Sequence, residues 1–279
     1  MAQGDGRLEE LPRRLIPLLI VLASLLVLGF YTVTDTGRLV DHAALEGADV
    51  VGYAICHRIT DRSFSIADRQ LPLCARCTGI YLGISLTFGL LFLAGRTRRT
   101  ELPSMKLLLV MVSLVGLMGI DGFNSYSHFF PDAPHLYEPR NWLRLLTGMG
   151  AGLAMGAIVF PGLNQTLWRE QVRLPSLENG RELAALIALA LGLVGLVLSN
   201  QPLLLYVLGI VSAVGVLMVL TAINTMSLLI IIKRDAQADT GRQAIAPLLI
   251  GLTLALIEVG VISYIRYAYT GTMTGFPGL

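Results

Sequence analysis

The chain has 279 residues, 54% of them hydrophobic and 14% charged, with a net charge of +2 and a mean hydropathy of +0.68. Soluble domains carry about a quarter charged residues, so this composition excludes an ordinary water-soluble globule and indicates an integral membrane protein. No basic stripe interleaved with aromatics is present, which removes nucleic acid as an expected partner. No phosphate-binding glycine loop, dinucleotide fingerprint or HExxH helix occurs either, so nucleotide-driven work and zincin-type proteolysis lack support.

Crossing ~30 Å of hydrocarbon takes about 17–25 apolar residues in a helix. Taken in chain order, the runs of that length are Leu15–Val33, Thr78–Gly95, Leu107–Phe123, Trp142–Phe160, Leu183–Ser199, Leu203–Ile232 and Ala244–Tyr267. The expected fold is all-α, a polytopic helical protein of about seven transmembrane helices. The first run follows Arg13 and Arg14 as a signal peptide would, but it is long and lacks a small-residue cleavage site, so it reads as an anchor. Leu203–Ile232 exceeds one crossing and is expected to tilt, bend near Asn224–Thr225 or run on into the cytosol. Thirteen of the Lys and Arg residues fall on one side of this arrangement and eight on the other, which favours N-in/C-out. The loop between the first two spans then lies outside the cytoplasm, in a multi-pass protein of the cell membrane.

That loop holds every cysteine. Cys56-His57 and Cys74-x-x-Cys77 offer four ligands of the kind that make a Cys3His zinc shell. Adjacent side chains point apart, however, so Cys56 and His57 meet one ion only if the backbone turns sharply there. A second reading is redox: an extracytoplasmic CxxC at a helix mouth suits a thiol–disulfide oxidoreductase linked to a membrane quinone, with Arg76 favouring a thiolate. The third is a structural disulfide with one thiol left over. Arg58, Arg62 and Arg76, with Ser63 and Thr78, add guanidinium forks and hydroxyls suited to a carboxylate or phosphate.

The third and fourth spans supply a second polar set. Asp121 sits near the outer end of one; Asn141, Arg144, Gly148 and Gly152 follow at spacings of three, four and four and share a face of the next. Gly79 and Gly83 repeat the small-residue spacing in the second span, so the second and fourth spans are expected to cross closely. Arg144 then points into the bundle and needs a partner, Asp121 or Glu138. His128 and His135 read as loop surface. Glu258, midway through the last span, reads as hydrogen-bonded to Asn224 or Ser227, with ion coupling as the alternative.

Together, Cys56-His57-Arg58, Arg62-Ser63-Phe64, Pro72-Leu73-Cys74-Ala75-Arg76-Cys77-Thr78-Gly79-Ile80-Tyr81 with Gly83, Asp121-Gly122, and Glu138, Asn141, Arg144 and Thr147-Gly148 resemble the membrane-protein family called Domain of Unknown Function 2085. The resemblance covers roughly residues 50–160. It implies a family core there, preceded by a tail, span and connector over 1–49 and followed by a C-terminal extension over 161–279. It also implies that the cysteine loop and the Asp121, Asn141 and Arg144 set form one module. The composite expectation is a zinc site of Cys56, His57, Cys74 and Cys77. Beside it, Arg58, Arg62, Ser63, Arg76, Thr78, Asn141 and Arg144 would face an anionic lipid or small molecule, with Asp121 and Arg144 as candidate catalytic groups. A transporter and an accessory subunit of a larger membrane complex remain as other classes.

Overall fold

The computed structural model describes residues 43–130, 134 and 136–273; the expected first span, Leu15–Val33, and His135 lie outside the described residues. Seven helices follow: α1 (Ala43–Ile55), α2 (Ala75–Leu93), α3 (Met105–Ser127), α4 (Asn141–Leu167), α5 (Gly180–Leu198), α6 (Pro202–Ile231) and α7 (Gly241–Thr270). The last six are long and apolar enough to cross a membrane, and each overlaps one of the remaining six expected runs. α6 forms one unbroken helix through Asn224–Thr225. Its 30 residues rise about 45 Å, more than one untilted crossing of ~30 Å requires.

Glycine sets the packing of α2 on α4. Gly79 lies against the Leu145 carbonyl, Gly83 against that of Met149, Gly148 against that of Arg76 and Gly152 against that of Ile80, leaving no room for a Cβ at any of the four. Two helices this close exchange dense dispersion contacts in place of contacts with lipid. Around this pair, α3 and α5 pack on α4, while α6 packs on both and carries α7.

α1 was not foreseen. Thirteen residues are too few to span, but Leu45, Ala48, Val51 and Tyr53 are buried against α6, α7 and the loop beyond, with Gly52 on the Pro72 backbone. Two small sheets also punctuate the helical fold. β1 (Ser63–Ile66) and β2 (Arg69–Cys74) pair antiparallel across Ala67 and Asp68, both at positive φ, as a two-residue type I′ hairpin turn requires. At the opposite end, β3 (Arg99–Glu101) pairs in parallel with β4 (Val172–Pro175). There Arg96 makes a bidentate ion pair to Glu182 at 2.6 and 2.7 Å and donates to the Ser176 carbonyl, while Asn164 donates to the carbonyls of Arg96 and Arg99. The Glu182 partner raises the Arg96 pKa further. This end carries Arg96, Arg98, Arg99, Arg169 and Arg173.

Candidate functional site

The hairpin runs straight into α2, so Cys74 is the N-cap and Cys77 lies in the first turn. Cys56 follows α1 directly, its N–H bonded to the Gly52 carbonyl at 2.9 Å. The three sulfurs lie within 4.8 Å of one another, all as free thiols. The Cys74 N–H donates to Cys56 Sγ at 3.2 Å, and the positive end of α2 adds to the field there. Hydrogen bonds from the Cys74 and Cys77 thiols, outweighing burial, hold the Cys56 thiol well below its ordinary value. The same contact with Cys56 pushes Cys74 up to about 12. The three sulfurs thus form one hydrogen-bonded group centred on Cys56.

His57 stands outside this group. Its Nδ1 accepts the Ile59 N–H at 3.2 Å, and the chain turns only one residue later, at Arg58 with φ +52. The adjacency of the two side chains therefore separates them, and the four-ligand expectation becomes a three-cysteine set. Burial, the largest cause, lowers the His57 pKa, helped by the charges of Arg62, Arg76 and Arg144 and opposed by Cys56. A neutral ring accepting at Nδ1 carries its proton on Nε2.

Three of the expected arginines come together, and Ser125 joins them. Arg62 donates to the Ser125 carbonyl at 3.2 Å, Arg76 to its Oγ at 3.1 Å and Arg144 Nε to the same Oγ at 3.4 Å. Arg62 also lies over the Phe129 ring, 4.0 Å from its centroid. Arg76 is ion-paired with Asp121, whose other oxygen accepts the Tyr137 hydroxyl at 2.9 Å. The Asp121 side chain is 1% exposed, so both oxygens are committed within the protein. Burial, then the neighbouring Arg76, depresses the Arg62 pKa. Arg144 lies within electrostatic reach of Arg62, Arg76, Asp121 and Cys74, which makes the sulfur triad and the guanidinium cluster electrostatic neighbours.

The remaining expected residues serve elsewhere. Arg144, for which Asp121 or Glu138 was the expected partner, donates to Asn141 Oδ1 at 2.8 Å, while Asp121 takes Arg76 and Glu138 stays exposed. Asn141 donates to the carbonyls of Asp61 and Ser63, fastening the start of α4 to the hairpin. Arg58 turns away to Asp49 (2.8 Å), which also binds Arg69, and to the Met273 carbonyl. Ser63 and Thr78 donate to the carbonyls of Ile59 and Leu73, so they brace the hairpin and the start of α2 rather than facing a ligand. His128 bonds the Tyr137 carbonyl. Glu258 meets Asn224 at 3.0 Å.

Four contributors escaped the sequence reading. Ser125 was legible, being one helical turn beyond Asp121. Tyr137 was not, because the Asn124 clamp on Leu136 and Tyr137 that positions it is a loop contact. Asp49 lies in α1. Arg266, near the end of α7, donates to the carbonyls of Tyr53, Cys56 and His57 and lies over the Tyr53 ring. The C-terminal segment thus caps the carbonyls at the end of α1 and holds the loop that carries Cys56.

Fold and site together define a polytopic helical membrane protein with a cysteine triad, two of its members buried and Cys77 half-buried, beside a guanidinium cluster at one end of its bundle. Residues 56–158 match the family described as predicted membrane protein, Domain of Unknown Function 2085 (DUF2085). An uncharacterized protein of Methanothermobacter thermautotrophicus is 35% identical over 104 residues, covering 37% of this chain and 83% of that protein. The chain belongs to this family. No solved structure matches it.

Proposed function

We propose that the chain binds an anionic group at the outer face of the cell membrane, in a site formed by Arg62, Arg76 and Arg144 and organised by a zinc ion on Cys56, Cys74 and Cys77. One observation carries the reading: three guanidiniums converge on Ser125, with Asp121, among the described residues, the one buried carboxylate paired there. Arg144 is buried and Arg62 and Arg76 are partly buried; like charges withdrawn from water are costly unless balanced, and an anion with several acceptor oxygens supplies that balance. Arginine forks match carboxylate and phosphate geometry.

The sulfur set suits zinc. Its three soft donors are mutually close, and the Cys74 and Cys77 thiols lower the Cys56 pKa. Metal binding displaces the shared S–H protons. Among the described residues no fourth His, Cys, Asp or Glu joins them, and three protein ligands are the pattern of zinc sites that keep an open position. When bound, zinc supplies Lewis-acid polarisation of a coordinated oxygen. The chain's own residues do the rest: Asp121 orients Arg76, Asn141 orients Arg144, and Arg62 is held between Ser125 and Phe129. The module so defined runs over about residues 50–160, and the extension over 161–279 braces it through Arg266.

Elemental analysis of the purified chain, paired with thiol counting before and after chelation, tests the zinc reading. About one zinc per chain is expected, lost in Cys74→Ser and retained in His57→Ala. A second reading has its own support in the low-pKa Cys56 sulfur beside the CxxC pair and makes the chain a thiol oxidoreductase. In it two thiols form one disulfide while two electrons and two protons reduce a membrane quinone to its quinol. Absence of metal together with a dithiol-reducible Cys74–Cys77 bond selects that reading and overturns the zinc site. For the anion, glycerol phosphate binding that is lost in Arg76→Gln supports the proposal; no binding to the intact chain refutes it.

A further inference from the structure

An apolar furrow of about 450 Å³ runs between α3, α4 and α5. It lies where α3 and α5 each pack on α4, and Gly150 of α4 lets the Leu114 side chain of α3 approach closely at its edge. Met149, Leu153 and Ala190 form a buried floor, while Leu117, Ile120 and Leu191 form rims that are 52–54% exposed on the surface facing lipid. Its volume lies within the range of pockets that take small ligands.

The furrow meets the polar site at Tyr137. Tyr137 lines the furrow, and its hydroxyl donates to Asp121, which is ion-paired with Arg76. Ile120 on one wall immediately precedes Asp121, and Thr147 on the other lies one turn below Arg144. An apolar channel open to the bilayer therefore abuts a cluster of three guanidiniums. This pairing of surfaces matches one kind of molecule, an amphiphile with an anionic head and a hydrocarbon chain.

Building on the anion-binding reading above, we infer that the ligand is a membrane-borne amphiphile bearing a phosphate. Its head sits among Arg62, Arg76 and Arg144, and one acyl or isoprenoid chain lies along the furrow between α3, α4 and α5. It enters sideways from the lipid, past Leu117 and Leu191, and Tyr137 marks the junction of head and chain. Because lipid is as apolar as the furrow, the chain adds shape selection and lateral delivery, while the guanidiniums supply the charge recognition.

Native mass spectrometry of the detergent-solubilised full chain tests this with three probes: lysophosphatidate, lysophosphatidylcholine and glycerol phosphate. One lysophosphatidate is expected per chain, bound at least about tenfold more tightly than lysophosphatidylcholine, which has the same tail on a zwitterionic head (~1.4 kcal/mol). Gly150→Trp fills the furrow from α4, displacing the Leu114 side chain that packs on Gly150, and Leu191→Trp fills it from a rim position that is 52% exposed. Both are expected to cancel the affinity that lysophosphatidate gains over glycerol phosphate and to leave glycerol phosphate binding intact, whereas Arg76→Gln abolishes binding of both. If both tryptophans leave lysophosphatidate affinity undiminished relative to glycerol phosphate, the hydrocarbon chain lies elsewhere and the inference is wrong, while the anion site stands. If glycerol phosphate and lysophosphatidate both fail to bind the intact chain, the anion reading falls and takes the inference with it. A dimer that either tryptophan dissociates identifies a second copy as the occupant and also overturns it.

Discussion

The crossing of α2 on α4 places Arg76 and Arg144 on one serine, and a matched pair of substitutions in α2 tests it. In Gly83→Ala the new Cβ would stand 2.6 Å from the Met149 carbonyl oxygen and 3.0 Å from Gly152 Cα and Leu153 N, all backbone. Carbon–oxygen contacts settle at about 3.3 Å or more, so the helices must part by roughly 0.7 Å, and no flexible side chain is there to yield instead. Overpacking of this kind costs about 1–3 kcal/mol. Gly89→Ala, two turns further along the same helix, meets nothing within 4 Å and retains only the helix-propensity gain of about 1 kcal/mol. The difference between the two variants isolates the packing penalty. At ~2–4 °C per kcal/mol, a central value of about 2 kcal/mol separates their apparent melting temperatures by about 4–8 °C, with Gly83→Ala the lower. Intrinsic fluorescence of the two tryptophans, Trp142 and Trp168, follows unfolding in detergent. Equal melting of the two variants would refute the close crossing and with it the geometry of the arginine cluster.

Other outcomes follow from the same contacts. Ser125→Ala removes the hydroxyl that accepts from both Arg76 and Arg144; a hydrogen bond to a charged group is worth about 1.5–3 kcal/mol, so glycerol phosphate affinity should change at least about tenfold, measured by calorimetry, and an unchanged affinity removes Ser125 from the site. Glu258→Gln keeps a partner for the Asn224 amide and should alter stability by less than about 0.5 kcal/mol; a loss of several degrees in melting temperature would show that the carboxyl does more than bond Asn224. Burial and the Asp121 contact raise the Tyr137 phenol from 10 to about 12. A raised value means the folded chain holds that proton more firmly, so its stabilising effect is complete below pH 10 and disappears as the pH climbs through 12. Alkaline absorbance titration of Tyr137→Phe should lack one late-ionising phenol, and an unaltered titration curve refutes that environment.

Much of the bundle was legible along the chain because the bilayer imposes a simple rule: a span must be long, apolar and hydrogen-bonded within itself. The six described spans obey it, and the spacing of Gly79, Gly83, Gly148 and Gly152 disclosed the α2–α4 crossing, since only a missing side chain lets two backbones approach that closely. Cysteine spacing likewise announced a chemical cluster. Its membership was another matter. Which of Cys56 and His57 faces the CxxC pair depends on where the backbone reverses, and it reverses at Arg58, one residue too late for His57 to join.

The sequence by itself determined a polytopic helical membrane protein, its tightest helix pair and the neighbourhood in which its reactive side chains gather, because each rests on periodicity or composition. Only the tertiary structure decided the partners. Arg58 goes to Asp49 and Arg76 to Asp121, Ser125 receives three guanidiniums, and Arg266 reaches back about two hundred positions to the carbonyls that end α1. Charges buried near a membrane must find a counter-group wherever the packing puts one, and that choice is made by distance in space, which local sequence pattern does not record.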